Sequence, residues 1–163
     1  VNWIIGLDDA QAQDPGRCGG KGANLARLRA AGLPVPPGFV VSAAAHARFL
    51  SAVDDPAVVP AAVGADQLEA FCAERRSTLL STALPAELAR EIAEAWRALS
   101  AGRGQDFRCA VRSSATAEDG VEASFAGQHD TYYFVDGSTL ADRIRACWAS
   151  LWTVQALQYR TTH

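Results

Sequence analysis

Residues 16–22 constrain this chain more than any other stretch. They place Gly16, Gly19, Gly20 and Gly22 around Lys21, the only lysine in the sequence; the other fourteen basic residues are arginines. Glycine lets the backbone turn sharply and come close to other groups. Lysine, unlike arginine, is a compact point charge on a thin, flexible stem. A glycine-flanked lysine at the mouth of a helix can hold a phosphate, because the helix start offers free N–H groups and the ammonium adds a movable charge. The two familiar phosphate loops do not fit. A Walker A loop requires one more residue before the lysine and a hydroxyl where Gly22 stands. A dinucleotide fingerprint fails on glycine spacing. On residue types alone two readings stay open: a phosphate-holding turn, or a glycine-rich turn with an exposed lysine.

The composition allows either. At 163 residues and 49% hydrophobic, the chain can bury one core. A formal net charge of -3 gives no general attraction to nucleic acid or to an anionic membrane. Cys18, Cys72, Cys109 and Cys147 form no C-x-x-C pair and read as reduced thiols of a cytoplasmic protein. His46, His129 and His163 are too dispersed for a zinc site. The sequence contains no methionine, and its last residues still carry a helical pattern without a stop signal. The expectation is a processed or subcloned piece of a longer protein.

Along the chain, residues 2–6 read as a strand and 16–22 as a loop. A helix follows with Leu25, Leu28 and Ala31 on one face and Gly32 just past its end. Pro34, Pro36 and Pro37 lead stiffly into a strand at Phe39-Val40-Val41, and Ser42 caps a helix ending near Leu50. Residues 53–65 read as a loop. Asp66 opens a helix carrying Leu68, Phe71, Cys72 and Leu79. Pro85 opens another with Leu88, Ile92, Trp96 and Leu99 at helical spacing, closed by Gly102 and Gly104. Residues 107–112 alternate as a strand, 113–128 read as a loop, and 130–135 as a second strand. Ser138 caps a long helix carrying Leu140, Ile144, Cys147, Trp148 and Leu151. Strands and helices mix without strict alternation, which predicts an α+β fold.

Two more segments carry chemistry. Arg112 ends its strand on the face opposite Cys109 and Val111. Its guanidinium could hold phosphate oxygens with two parallel bonds, or pair with Glu118 or Asp119 to pin the turn. The small residues Ser124-Phe125-Ala126-Gly127-Gln128, with Thr131 beyond, could fold over a triphosphate as a mobile lid. Glu118, Asp119, Glu122 and Asp130 are too irregularly spaced for a metal cluster and read as solvated acidic surface.

Five segments together resemble the ATP-grasp nucleotide-binding domain of the family that includes phosphoenolpyruvate synthase, pyruvate phosphate dikinase and rifampicin phosphotransferase. They are Gly19-Gly20-Lys21-Gly22-Ala23-Asn24-Leu25, Val35-Pro36-Pro37-Gly38-Phe39, residues 110–119 from Ala110 to Asp119, Ser124-Phe125-Ala126-Gly127-Gln128, and Cys147-Trp148-Ala149-Ser150-Leu151. The resemblance covers nearly the whole chain, in order, and is nearer to the synthase and rifampicin enzymes than to the dikinase.

The resemblance implies the N-terminal lobe of a dikinase-type ATP-grasp domain, with residues 1–163 one domain of a longer phosphotransferase. It implies that Lys21 and Arg112 bind ATP phosphates and that Gly127, Gln128 and Thr131 belong to the phosphate-covering loop. It further implies that the ATP β-phosphoryl group passes to a histidine on a separate domain and then to pyruvate or, in the rifampicin enzyme, to a drug hydroxyl, releasing AMP and phosphate. A second lobe would supply the adenine-binding strand and the ligands of Mg2+. No glycine-rich Thr-Ser-His motif occurs, so no residue here is assigned as catalytic or as a metal ligand. Two other classes remain: a stand-alone nucleotide-binding or regulatory module, and a degenerate lobe serving as scaffold. Retention of Lys21 and Arg112 argues against the last. Four expectations follow. Lys21 and Arg112 line one cleft; the chain alone binds ATP weakly without turnover; residues 115–128 are mobile; and Trp152 and Tyr159 leave an apolar patch through which copies self-associate.

Overall fold

The computed structural model describes residues 2–53, 65–114, 131–155 and 157. The expected lid over 115–128 and most of the expected loop over 53–65 lie outside these residues. The described elements run β1 (Ile4–Gly6), α1 (Pro15–Ala30), β2 (Phe39–Val41), α2 (Ala43–Leu50), α3 (Ala65–Ser81), α4 (Ala86–Ser100), β3 (Cys109–Arg112), β4 (Thr131–Val135) and α5 (Leu140–Ala149). A single 3-10 turn, Ala10–Gln13, precedes α1. The mixture is the α+β arrangement expected.

The strands form two antiparallel pairs. In the first, Ile4 faces Val41, Ile5 faces Val40 and Gly6 faces Phe39. In the second, Cys109 faces Val135, Val111 faces Tyr132 and Arg112 faces Thr131, with an irregularity between Cys109 and Val111. The irregular ladder coincides with Phe134, which sits at φ 56° with its ring 86% exposed. That left-handed conformation costs a side-chain-bearing residue about 1–2 kcal/mol.

Helix ends follow local sequence signals closely. Asp14 caps α1 by accepting a hydrogen bond from Gly16 N–H at 2.8 Å, and Pro15 fills the first helical position, where a missing N–H costs nothing. At the other end Gly32 adopts φ 81°. Leu33 N–H bonds the Leu28 carbonyl at 3.1 Å and Gly32 N–H the Arg29 carbonyl at 2.9 Å, the paired pattern of a glycine-terminated helix. Ser42 caps α2 as expected and also donates to the Asn2 carbonyl at 2.9 Å, tying the helix to the strand beside it.

Three expectations need correction. Residues 16–22 are not a loop: the helix already begins at Pro15, because Asp14 and Pro15 start it ahead of the glycines. Its buried face is Cys18, Gly22, Ala23 and Ala26, whereas Leu28 is 44% exposed. The cap of α5 also differs. The helix starts at Leu140, and it is the Asp136 carboxylate that gathers Ser138 N–H, the Ser138 hydroxyl, Thr139 N–H and the Thr139 hydroxyl. These donors hold its pKa at about 2.

Trp152 is the third correction. α5 ends at Ala149, the chain turns, and Trp152 is only 5% exposed. It is covered by α3: Phe71 meets it edge-on at 6.2 Å and the Arg75 guanidinium lies 4.9 Å above its ring. Leu157 is buried as well. The apolar patch expected from this end therefore loses Trp152, because α3 supplies the cover. Tyr159 lies outside the described residues. Arg145 reinforces the α3–α5 contact by donating to the Leu80 and Thr82 carbonyls at 2.7 and 2.8 Å, where the end of α3 leaves acceptors without helical partners.

The main core joins α2, α3, α4 and α5, with Phe49, Leu79, Leu88, Ile92, Ile144 and Trp148 among its buried side chains. A smaller cluster joins β1 to α1 through Ile5, Leu7, Ala12, Cys18 and Ala26.

Candidate functional site

The site begins with an interruption in α1. Gly19 has φ 66° and ψ 169°, so a short first segment through Cys18 stops and a second segment starts anew after it. An α-helix bonds each N–H to the carbonyl four residues back. Across this interruption that partner pair would be Gly22 N–H and the Cys18 carbonyl. A hydroxyl from far along the chain stands between them. Ser114 Oγ accepts from Gly22 N–H at 3.1 Å and donates to the Cys18 carbonyl at 2.9 Å. Both backbone groups are satisfied although the helical bond is not made.

Only glycine fits at position 19. A Cβ there would lie 2.2 Å from the Ser114 carbonyl oxygen and 2.4 Å from Ser114 Oγ, in a backbone conformation that side chains disfavour. Gly22 is tight for a different reason: its missing Cβ would stand 3.2 Å from both the Cys18 and Val40 side chains. Gly19 and Gly22 are thus close-packing positions within α1. They permit close approach between α1, β2 and the strand end at 112–114.

Lys21 falls in the first turn of the second segment, half-buried, directly before Gly22. This is the helix-mouth position that its glycine neighbours suggested. A new helical start presents N–H groups and the positive end of the helix dipole. Arg112 is exposed at the end of β3, two residues before the Ser114 that grips α1. Its strand neighbours Cys109 and Val111 are half-buried, so the alternation places Arg112 on the opposite face as expected. Thr131 begins β4 opposite Arg112. Among the candidate residues, the segments of Lys21 and Arg112 are joined by Ser114, and Thr131 is paired with Arg112. Gly127 and Gln128 lie outside the described residues.

The neighbouring thiol is not a nucleophile. Cys18 is buried, and burial is the first cause of a pKa raised above the ordinary thiol value, so its proton stays on. Ser113 Oγ is buried without a hydrogen-bond partner among the described residues. Among the described residues there is no group of three or more His, Cys, Asp or Glu side chains placed to hold a metal ion. A groove of about 520 Å³ runs between α3, β4 and α5 past Arg76, Ser77, Tyr132, Ser150 and Thr153. Neither Lys21, Arg112 nor Ser114 lines it, so it is separate from the phosphate candidates. No described helix is long and apolar enough to cross a membrane.

Sequence reasoning named Lys21, Arg112 and Thr131 as candidates but missed two supports of the segments that carry them. Asp14 was legible as a cap immediately before a proline. The insertion of the Ser114 hydroxyl into α1 left no local signal.

Comparison with known proteins identifies the family. Residues 16–163 match the family described as pyruvate phosphate dikinase, AMP/ATP-binding domain. A probable phosphoenolpyruvate synthase of Methanothermobacter thermautotrophicus is 40% identical over 98% of this chain and 25% of its own length. The phosphoenolpyruvate synthase of Aeropyrum pernix is 39% identical over 96% of this chain and 20% of its own. The prodigiosin synthesizing transferase PigC of Serratia marcescens is 38% identical over 98% of this chain and 17% of its own. The chain spans a quarter or less of the length of these curated relatives. The match begins at Gly16, inside the segment that Ser114 grips, and runs on through Arg112. This chain belongs to the pyruvate phosphate dikinase AMP/ATP-binding domain family.

Proposed function

We propose that this chain is the first lobe of an ATP-grasp site in a phosphoenolpyruvate synthase-like phosphotransferase, and that it grips the phosphates of ATP. The observation that carries the reading is the Ser114 hydroxyl inserted into α1, which brings the segment of Lys21 to the segment of Arg112. A triphosphate needs several cationic and N–H donors around one point. The Lys21 ammonium and the N–H groups of the new helical start would take one side of it, and the Arg112 guanidinium the other. Thr131, Gly127 and Gln128 are proposed as the covering edge. When bound, ATP supplies the phosphoryl group; the role of this chain is to hold and orient it.

The remaining parts are proposed to come from elsewhere in the same protein. A second lobe would hold the adenine and Mg2+, and a domain bearing a histidine would take the β-phosphoryl group and pass it to pyruvate, with AMP and phosphate released. The short coverage of the synthase relatives supports a longer parent. The cytoplasm is the proposed compartment, on the four free cysteines. A second reading, the same lobe serving a different acceptor, is favoured by the relative named for prodigiosin synthesis, whose identity to this chain nearly equals that of the synthases.

The test is ATP titration of the 163-residue chain followed by amide NMR. We expect weak binding, because half a cleft leaves the phosphates solvated and screened. Shifts should centre on residues 20–22 and 112–114 and require severalfold more ATP in Lys21→Ala. Binding that persists unchanged in Lys21→Ala and Arg112→Ala would overturn the reading.

A further inference from the structure

We propose that Ser114 is the positioning residue of this phosphate site, acting by standing in for a missing helical bond of α1. The inference rests on the phosphate-binding reading of Lys21 above. Three observations carry it. Ser114 Oγ sits between the two groups that an unbroken helix would join directly, at 3.1 Å from Gly22 N and 2.9 Å from the Cys18 carbonyl oxygen. The glycine between them is held at φ 66° with no space for a Cβ against Ser114. Lys21, the residue before the bridged N–H, carries the charge.

The bridge does two things at once. It keeps α1 open, with Gly22 N–H bonded to Ser114 and not back to the Cys18 carbonyl. It also sets how far the Lys21 backbone stands from the strand end that carries Arg112. A side chain that accepts with one lone pair and donates with its one proton is required; serine and threonine provide both in the smallest form. Alanine provides neither. Without the hydroxyl, Gly22 N–H and the Cys18 carbonyl can close on each other directly, which straightens the helix and draws Lys21 away from Arg112.

The experiment compares Ser114→Ala, Ser114→Thr, Lys21→Ala and the double variant Ser114→Ala/Lys21→Ala in the 163-residue chain. Amide hydrogen exchange at Gly22 reads the bridge itself, and NMR titration with ATP reads its consequence. The expected result has four parts. Exchange at Gly22 changes in Ser114→Ala while exchange in α4 does not. ATP affinity falls about tenfold, the size of coupling between residues in contact. Ser114→Thr restores affinity. In the Lys21→Ala background the same Ser114→Ala change costs at most about twofold, because its effect runs through the lysine.

An unchanged Gly22 amide in Ser114→Ala overturns the bridge. An equal loss of affinity in both backgrounds overturns the claim that Ser114 acts through Lys21. If Gly22 responds but Lys21→Ala leaves ATP binding intact, the bridge stands as structure, and it is the phosphate reading of Lys21 that fails. Should Ser114→Ala not fold, Ser114→Cys, whose thiol is a weaker donor and acceptor in the same place, takes the same readings.

Discussion

Around Trp148 the protein packs large rings and branched chains. Phe49 stacks with Trp148 at 5.1 Å and so does His46 at 5.2 Å, with Leu79, Leu88 and Ile92 in the same cluster. Around Cys18 it packs Ala12 and Ala26 beneath Ile5 and Leu7, and its closest approaches are between backbone and missing side chains. The first region buries much apolar area per residue. The second buries little and is shaped by hydrogen bonds and glycines. Burial stabilises roughly in proportion to apolar area, so the first region supplies the stability. Backbone N–H groups can serve a ligand only where side chains do not crowd them, so the second is where the candidate site lies. The two plans serve different ends, and the chain keeps them on adjoining elements.

The largest effect should come from breaking the first region. Trp148→Ala removes a ring stacked with Phe49 and His46 and should cost about 3–5 kcal/mol in denaturant unfolding, as buried aromatic truncations do. A loss below about 1 kcal/mol would mean that the rings are not the main support. Gly19→Ala should break the second region. It forces a methyl into the Ser114 backbone at a positive φ, so about 1–3 kcal/mol of stability should go. Its larger signature should be in function: ATP shifts at residues 20–22 vanish, while the near-ultraviolet signal of the tryptophans is kept. A Gly19→Ala chain that binds ATP normally would mean that the interruption of α1 has no role.

The smallest effect sharpens the comparison through pH. Asp136 holds the start of α5 in the large region, and the hydrogen bonds from Ser138 and Thr139 lower its pKa from 3.8 to about 2. A carboxylate with a depressed folded pKa stabilises fully above its unfolded value and loses that contribution as pH falls through the folded one. The stability difference between wild type and Asp136→Asn should therefore be steady near neutral pH and shrink between 3.8 and about 2. Thermal midpoints of both chains across that range check it. A difference that does not narrow would show that the carboxylate charge is not what the four donors hold.

What could be read from the sequence follows the reach of the interactions. Ser42, Gly32 and Pro85 act on atoms within a few residues, and each marked its helix end correctly. Lys21 and Arg112 stood out by residue type and by resemblance. Asp14 was just as local, yet the glycines after it suggested a loop, and capping outweighed their low helix propensity. The burial of Trp152 depends on Phe71 and Arg75, and the grip on Gly22 depends on Ser114. Those partners are distant in sequence, so no periodicity or spacing announces them.

The contact between Gly22 and Ser114 spans 92 positions. Joining distant parts of a chain carries a closure cost that must be met before the contact is rewarded. During synthesis at about 5–20 residues per second, α1 leaves the ribosome roughly 5–18 seconds before Ser114 does. Throughout that interval the Cys18 carbonyl and the Gly22 N–H can only face water or each other. The grip of Ser114 on α1 is thus a late event in the life of the chain. The bridged, interrupted form of α1 is complete only when the strand end that carries Ser114 arrives.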